Sequence, residues 1–178
     1  MIFLTILLFL TGSNIYGQEP GVIDWEQVYS FINSTMVQDS LRFNLCDNTI
    51  IDALPPDEVA GVLAAKSFKK EDRQYFKEQF AMMGKVRWQP GKIKGANVIS
   101  NENICEVFKQ KDGWKKFNEK YGNCLTTYSL PIFTKDFHYC IFYRWVQCGY
   151  EEGYGSLDLY KFAHGKWKKV KNYMSGMS

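Results

Sequence analysis

Histidine is scarce in this 178-residue chain, which has only His138 and His164. An imidazole-based metal site, or a nucleophile activated by histidine, therefore has two candidates at most. Cys-x-x-Cys is absent, which removes thiolate zinc ribbons and the thioredoxin-type redox motif. No Gly-x-Ser-x-Gly elbow exists, so the common hydrolase nucleophile turn is missing. Phosphate loops fail too. Gly91-Lys92 is followed by Ile93, where Ser or Thr must reach magnesium. Gly153-Tyr154-Gly155 opens a dinucleotide fingerprint, but Asp158 replaces the third glycine. No cofactor and no metal are expected. Long apolar runs are confined to residues 2–10. At ~1.5 Å rise per residue that run covers roughly half of a ~30 Å bilayer core, too little to span it.

The chain that remains suits a globular product. It is 46% hydrophobic, 16% aromatic and 23% charged, which excludes a disordered chain and a polytopic membrane protein. The apolar run at 2–10 leads through Thr11-Gly12-Ser13-Asn14 to the small residue Gly17 before Gln18. That layout predicts a signal peptide over 1–17 and one exported domain over 18–178, periplasmic or extracellular. No cysteine stands at the cut, so no lipid anchor is expected. In an oxidising compartment Cys46, Cys105, Cys124, Cys140 and Cys148 can give two bridges and one free thiol. Cys140 and Cys148 share a strand region, roughly 26 Å apart at ~3.3 Å per residue, and cannot pair if it is straight. Cys105 and Cys124 are the pair to test first, because only a short helix separates them.

The net charge of +3 conceals an uneven spread. Residues 19–65 carry eight acids against Arg42 alone, while 66–94 carry nine bases against three acids. Docking of the acidic third beside the basic middle explains this within one domain, and neither a nucleic-acid partner nor a membrane span in the mature chain is expected.

Asp24 with Gln27 predicts a capped helix whose Val28, Phe31, Ile32 and Met36 continue to about residue 38. A short helix is expected over 57–66. Ser67 then caps a longer one carrying Asp72, Tyr75, Phe76, Gln79, Phe80 and Met83 and stopped by Gly84. A strand over 97–100 and a helix over 113–121, capped by Asp112, come next. The rest reads as antiparallel strands over 126–134, 138–147, 154–162 and 166–173. Pro131 confines the first to an edge or bulge, and the opposite parity of Trp167 and Val170 announces a bulge or early end in the last. Helices followed by a consecutive sheet make an α+β fold, with N-terminal helices packed on a C-terminal twisted antiparallel β-meander. The cone-shaped sheets of cystatin-like and nuclear-transport-factor-type folds are the analogy.

Four residues are candidates for chemistry. His138 opens the most β-prone strand. Arg144 interrupts that strand's apolar run and must pair, snorkel or line a cleft. Glu151 and Glu152 are adjacent acids in a glycine-flanked turn, where solvation is the ordinary role. His164 falls in a tight turn. Asn33-Ser34-Thr35 matches a glycosylation sequon inside the first predicted helix.

The succession Trp114, Phe117, Tyr121-Gly122, then Leu130-Pro131-Ile132-Phe133-Thr134-Lys135-Asp136, then Cys148-Gly149, Gly153-Tyr154-Gly155 and Gly165-Lys166-Trp167 resembles an uncharacterised group of small exported proteins of Bacteroidetes. The likeness covers about residues 67–170 and carries no function. Members of the group often hold a second cysteine–glycine pair in the turn where this chain has Glu151, Glu152 and Gly153. The resemblance therefore implies that Cys148 is the unpaired thiol. The expected role is a non-enzymatic binding or interaction module for a protein or small ligand. The alternatives are a small hydrolase or lyase using His138, Arg144 and a carboxylate in a cleft above the sheet, and an inhibitor or immunity-type protein.

Overall fold

The structure, a computed structural model, describes residues 23–36, 42–49, 61–62, 68–122 and 124–177. The 1–17 segment, Ser67 and most of the expected 57–66 helix lie outside the described residues. Among the described residues run four helices and one seven-stranded sheet, an α+β fold.

Helix α1 is Trp25–Thr35, and Asp24 Oδ1 accepts the Gln27 N–H at 3.1 Å as its N-cap. Val28, Phe31 and Ile32, at i, i+3 and i+4, are its buried residues. The Phe31 ring meets Phe133, Phe142, Tyr160 and Trp167 edge-on at 5.2–5.8 Å, so α1 lies across one face of the sheet. Asn33 is already engaged as well: its Oδ1 accepts from Lys94 N–H and its Nδ2 donates to the Lys92 carbonyl. The sequon asparagine thus spends its amide on the turn beside it.

Strand β1 (Phe43–Cys46) runs parallel to both β2 (Ala96–Ile99) and β3 (Leu125–Tyr128). The sheet is therefore mixed at this edge, while the strands from residue 125 onward pair antiparallel, as the expected C-terminal meander does. Asn44 supplies the reason for the parallel edge. Buried in β1, it donates to the Tyr121 and Cys124 carbonyls and accepts from Asn97 Nδ2, tying all three strands together. The β2–β3 crossover consists of α3 (Asn101–Phe108), which the sequence reading lacked, and α4 (Gly113–Tyr121). Ser100 caps α3 by accepting the Asn103 N–H. Asp112 precedes α4 in the left-handed region (φ 60°) and makes no side-chain cap, contrary to expectation. Ile104, Val107, Trp114 and Phe117 close a second small core against Cys46 and Ile99.

Helix α2 (Lys70–Phe80) starts after Lys69, whose N–H donates to Asp72 Oδ2. It ends at Phe80, four residues before Gly84, which turns with φ 72° and donates its N–H to the Thr49 carbonyl. The expected 126–134 strand is split at Pro131 into β3 and β4 (Ile132–Phe133), both paired antiparallel with β5 (Tyr139–Gln147). At the break, Ser129 Oγ accepts the Tyr143 N–H at 2.9 Å, replacing a ladder carbonyl. Strands β6 (Gly153–Ala163) and β7 (Lys166–Met177) complete the order β2-β1-β3-β5-β6-β7. The predicted bulge is present as register shifts at Leu157/Asp158 and Leu159/Tyr160, but β7 continues past Tyr173 to Met177. Of the acid-to-base docking, the described residues show Arg87 Nε 3.7 Å from Asp47 Oδ2.

The cysteine pairing differs from both expectations. Cys124 is bonded to Cys148, and Cys46, Cys105 and Cys140 are free. Register explains it: Leu125 faces Gln147 across β3 and β5, so one step further sets Cys124 opposite Cys148. Cys105 sits exposed on α3 and pairs with neither.

Candidate functional site

The structure places the sequence candidates in three separate depressions. His138 belongs to a cleft between α1 and two hairpin turns. Arg144 lines a second cleft farther along the same sheet face. Glu151 and Glu152 border a shallow third one beside Trp114 and Tyr150. His138 and Arg144 are six residues apart along an extended strand, about 20 Å. The joint cleft that a hydrolase built on His138, Arg144 and a carboxylate requires does not form.

The first cleft has a volume of about 840 Å³. Gln27, Ser30 and Ser34 recur on one side of α1 at i, i+3 and i+7 and supply its polar wall. The β4–β5 turn supplies Asp136, Phe137 and His138, and the β6–β7 hairpin supplies Phe162, Lys166 and Trp167. Trp167 is held from behind by Phe31, Phe133 and Phe162, with ring centroids 5.1–5.7 Å away. His164 and Gly165 turn the hairpin in the left-handed region (φ 53° and 73°), which is what brings Phe162 beside Trp167.

Asp136 organises the other wall. Its Oδ1 accepts the Thr134 hydroxyl at 2.7 Å and the His138 N–H at 3.1 Å. His138 Nδ1 lies 3.2 Å from Asp136 Oδ2. The Thr134 hydroxyl first, then the His138 groups, lower the Asp136 carboxyl to about 2. His138 stays largely exposed at the rim of the cleft, as a turn residue oriented by a carboxylate.

The second cleft takes its wall from register. Tyr128 faces Arg144 across β3 and β5, and Val146 faces Thr126 on one side and Tyr154 on the other. All five side chains therefore share one sheet face. Arg42, just before β1, and Thr35, at the end of α1, meet them there. Burial pushes the Tyr128 hydroxyl up to about 12, with Arg144 pulling weakly the other way.

Glu151 and Glu152 are exposed, and the turn that carries them is closed by Cys148 N–H donating to the Glu152 carbonyl at 2.7 Å. Among the described residues nothing draws the two acids toward a common target. Among the described residues no group of three or more His, Cys, Asp or Glu is placed to hold a metal ion.

Sequence reasoning missed the aromatic wall of Phe137, Phe162 and Trp167 and the pairing of Arg42 with Arg144. A signal for the second existed, since Arg42 is the lone base in an acidic third.

A scan against protein-family models, a search of curated proteins and a search of solved structures each returned no match.

Proposed function

We propose that this chain is an exported, non-enzymatic binding module whose protein or small-molecule ligand sits in the cleft between α1 and the two hairpin turns. The composition of that cleft carries the reading. The aromatic faces of Phe162 and Trp167 adjoin the polar groups of Gln27, Ser30, His138 and Lys166 in one concave space. Apolar faces beside a few convergent polar groups are the usual makeup of a ligand site, and aromatic side chains are enriched where proteins make contact. The Cys124–Cys148 bridge supports export, because such bonds persist in oxidising compartments. The 2–10 apolar run supports it from the sequence side. No nucleic-acid partner is part of this reading, and no described helix is long and apolar enough to cross a membrane.

The test places a photo-crosslinking p-benzoylphenylalanine at Phe162, which is 39% exposed, and a control one at Lys111 on the α3–α4 turn. Irradiation in the producing cells is expected to give a discrete adduct from position 162 alone, and its mass identifies a protein or a small ligand. Identical patterns from both positions would sink the reading.

A hydrolytic second reading has one observation behind it, the carboxylate-oriented His138 facing a helix with Ser30 and Ser34. Ser34 Oγ, however, already donates to the Phe31 carbonyl. Turnover of p-nitrophenyl acetate that disappears in His138→Gln would shift the balance to that reading.

A further inference from the structure

The second cleft holds two arginines and no acid among the described residues that line it. Arg144 is half-buried, and among the described residues its guanidinium makes neither a hydrogen bond nor an ion pair. A charge drawn partly out of water without a partner loses hydration and gains nothing in return. Arg42 brings a second positive charge into the same space of about 470 Å³. Thr126 and Tyr128 add hydroxyl-bearing side chains to the lining on the same sheet face. Two cations facing one cleft without an acid among its described lining residues make sense when an acceptor-rich anion fills it.

We infer that this cleft binds an organic carboxylate, gripped by Arg144 and Arg42, with its flat apolar body against Phe43, Tyr128 and Tyr154. The guanidinium fork matches a planar carboxylate in two parallel hydrogen bonds. The Phe43 and Tyr128 rings, 6.0 Å apart, supply the apolar wall. The volume suits a one- or two-ring molecule. This site is separate from the cleft of the proposed function and does not depend on it.

Calorimetric titration of the full chain, with its disulfide intact and at low salt, tests the inference with three probes: indole-3-acetate, its neutral analogue indole-3-acetamide, and inorganic phosphate. The acid is expected to bind at least tenfold more tightly than the amide and more tightly than phosphate. Arg144→Gln is expected to weaken the acid at least tenfold without changing the amide, and Arg42→Gln to weaken it severalfold. A second measurement needs no ligand. Arg144→Met should raise the Tm, because an uncompensated charge is removed from a half-buried site. Equal binding of acid and amide, binding of neither, tighter binding of phosphate, or unchanged acid affinity in both Gln variants overturns the inference. So does a lower Tm for Arg144→Met, which would mean that the chain itself supplies the missing partner.

Discussion

Gln79 hydrogen-bonds both backbone groups of Phe133: its Nε2 donates to the Phe133 carbonyl at 2.8 Å, and its Oε1 accepts the Phe133 N–H at 3.0 Å. A primary amide presents the same donor and acceptor pair as a peptide, so this side chain stands in for a neighbouring strand along β4. Asp72, seven residues earlier and thus two turns away on the same side of α2, accepts the Lys135 N–H at 3.2 Å. Together they fasten α2 to the segment that turns into Asp136 and His138. The wall of the first cleft is thereby positioned by a helix that does not line it.

Gln79→Leu keeps the bulk and removes both hydrogen bonds, leaving a buried N–H and a buried carbonyl unpaired. Each unsatisfied group costs about 1–3 kcal/mol, so a loss of about 2–6 kcal/mol is expected in urea unfolding, with the m-value unchanged. Gln79→Glu should be at least as damaging, because it sets a carboxylate against the Phe133 carbonyl. A loss below about 0.5 kcal/mol for the Leu variant would show that water replaces the amide at that edge.

Elements carried by local periodicity were legible before the structure. The apolar spacing of α1, the β-prone run of β5 and the Pro131 break all have causes within a few residues. Strand β1 was not legible, because four residues with an asparagine inside offer no period, and their stability comes from Asn44 bonding to Asn97, Tyr121 and Cys124. Helix α3 is too short for its Ile104 and Val107 to stand out. The Cys124–Cys148 bridge follows from the register of β3 on β5, a non-local quantity. His138 and Arg144 were singled out by residue type, but the walls that make each a cleft come from residues far away in the chain. Separation along β5 is what parts them.

Trp145 lies over Gly155, its cross-strand partner, and a Cβ there would stand 2.4 Å from Trp145 Cε3 and 2.5 Å from the Arg144 carbonyl oxygen. Gly176, paired with Gly155, faces the same ring. Gly155→Ala is therefore expected to destabilise by about 1–3 kcal/mol through overpacking. Trp145→Ala in the same chain should recover only part of that loss, since the clash with the Arg144 backbone remains. Full recovery in a double-mutant cycle would assign the whole effect to the ring.

The three free thiols should separate cleanly in alkylation. Cys105 is exposed and is expected to react first in the native protein. Cys46 is 2% exposed, and burial pushes its thiol up to about 11; Cys140 is fully buried, and burial raises its thiol well above the ordinary value. Intact mass should show one adduct in the native state, three after unfolding without reductant, and five after reduction. Five adducts without reduction would contradict the Cys124–Cys148 bridge.

Acid should loosen the cleft's β4–β5 wall through one carboxyl. Asp136 is depressed to about 2 from an ordinary value of 3.8, chiefly by the Thr134 hydroxyl. A carboxyl lowered by folding contributes stability that is fully present above its unfolded value and is lost as the pH falls through the folded one. The turn should therefore be intact above about pH 4 and weaken between pH 4 and 2, with no change from this group between pH 5 and 8. Because Asp136 is largely solvent-exposed, the effect on global unfolding is expected to be small, and the local signal is the one to follow. In a carboxyl-observed NMR titration, Thr134→Val should move the Asp136 midpoint upward toward 3.8, since it removes the strongest contributor. His138→Gln removes only the weaker imidazole interaction, so its midpoint should move less. An Asp136 midpoint near 3.8 in the unmutated chain would mean that the Thr134 and His138 bonds do not persist in solution.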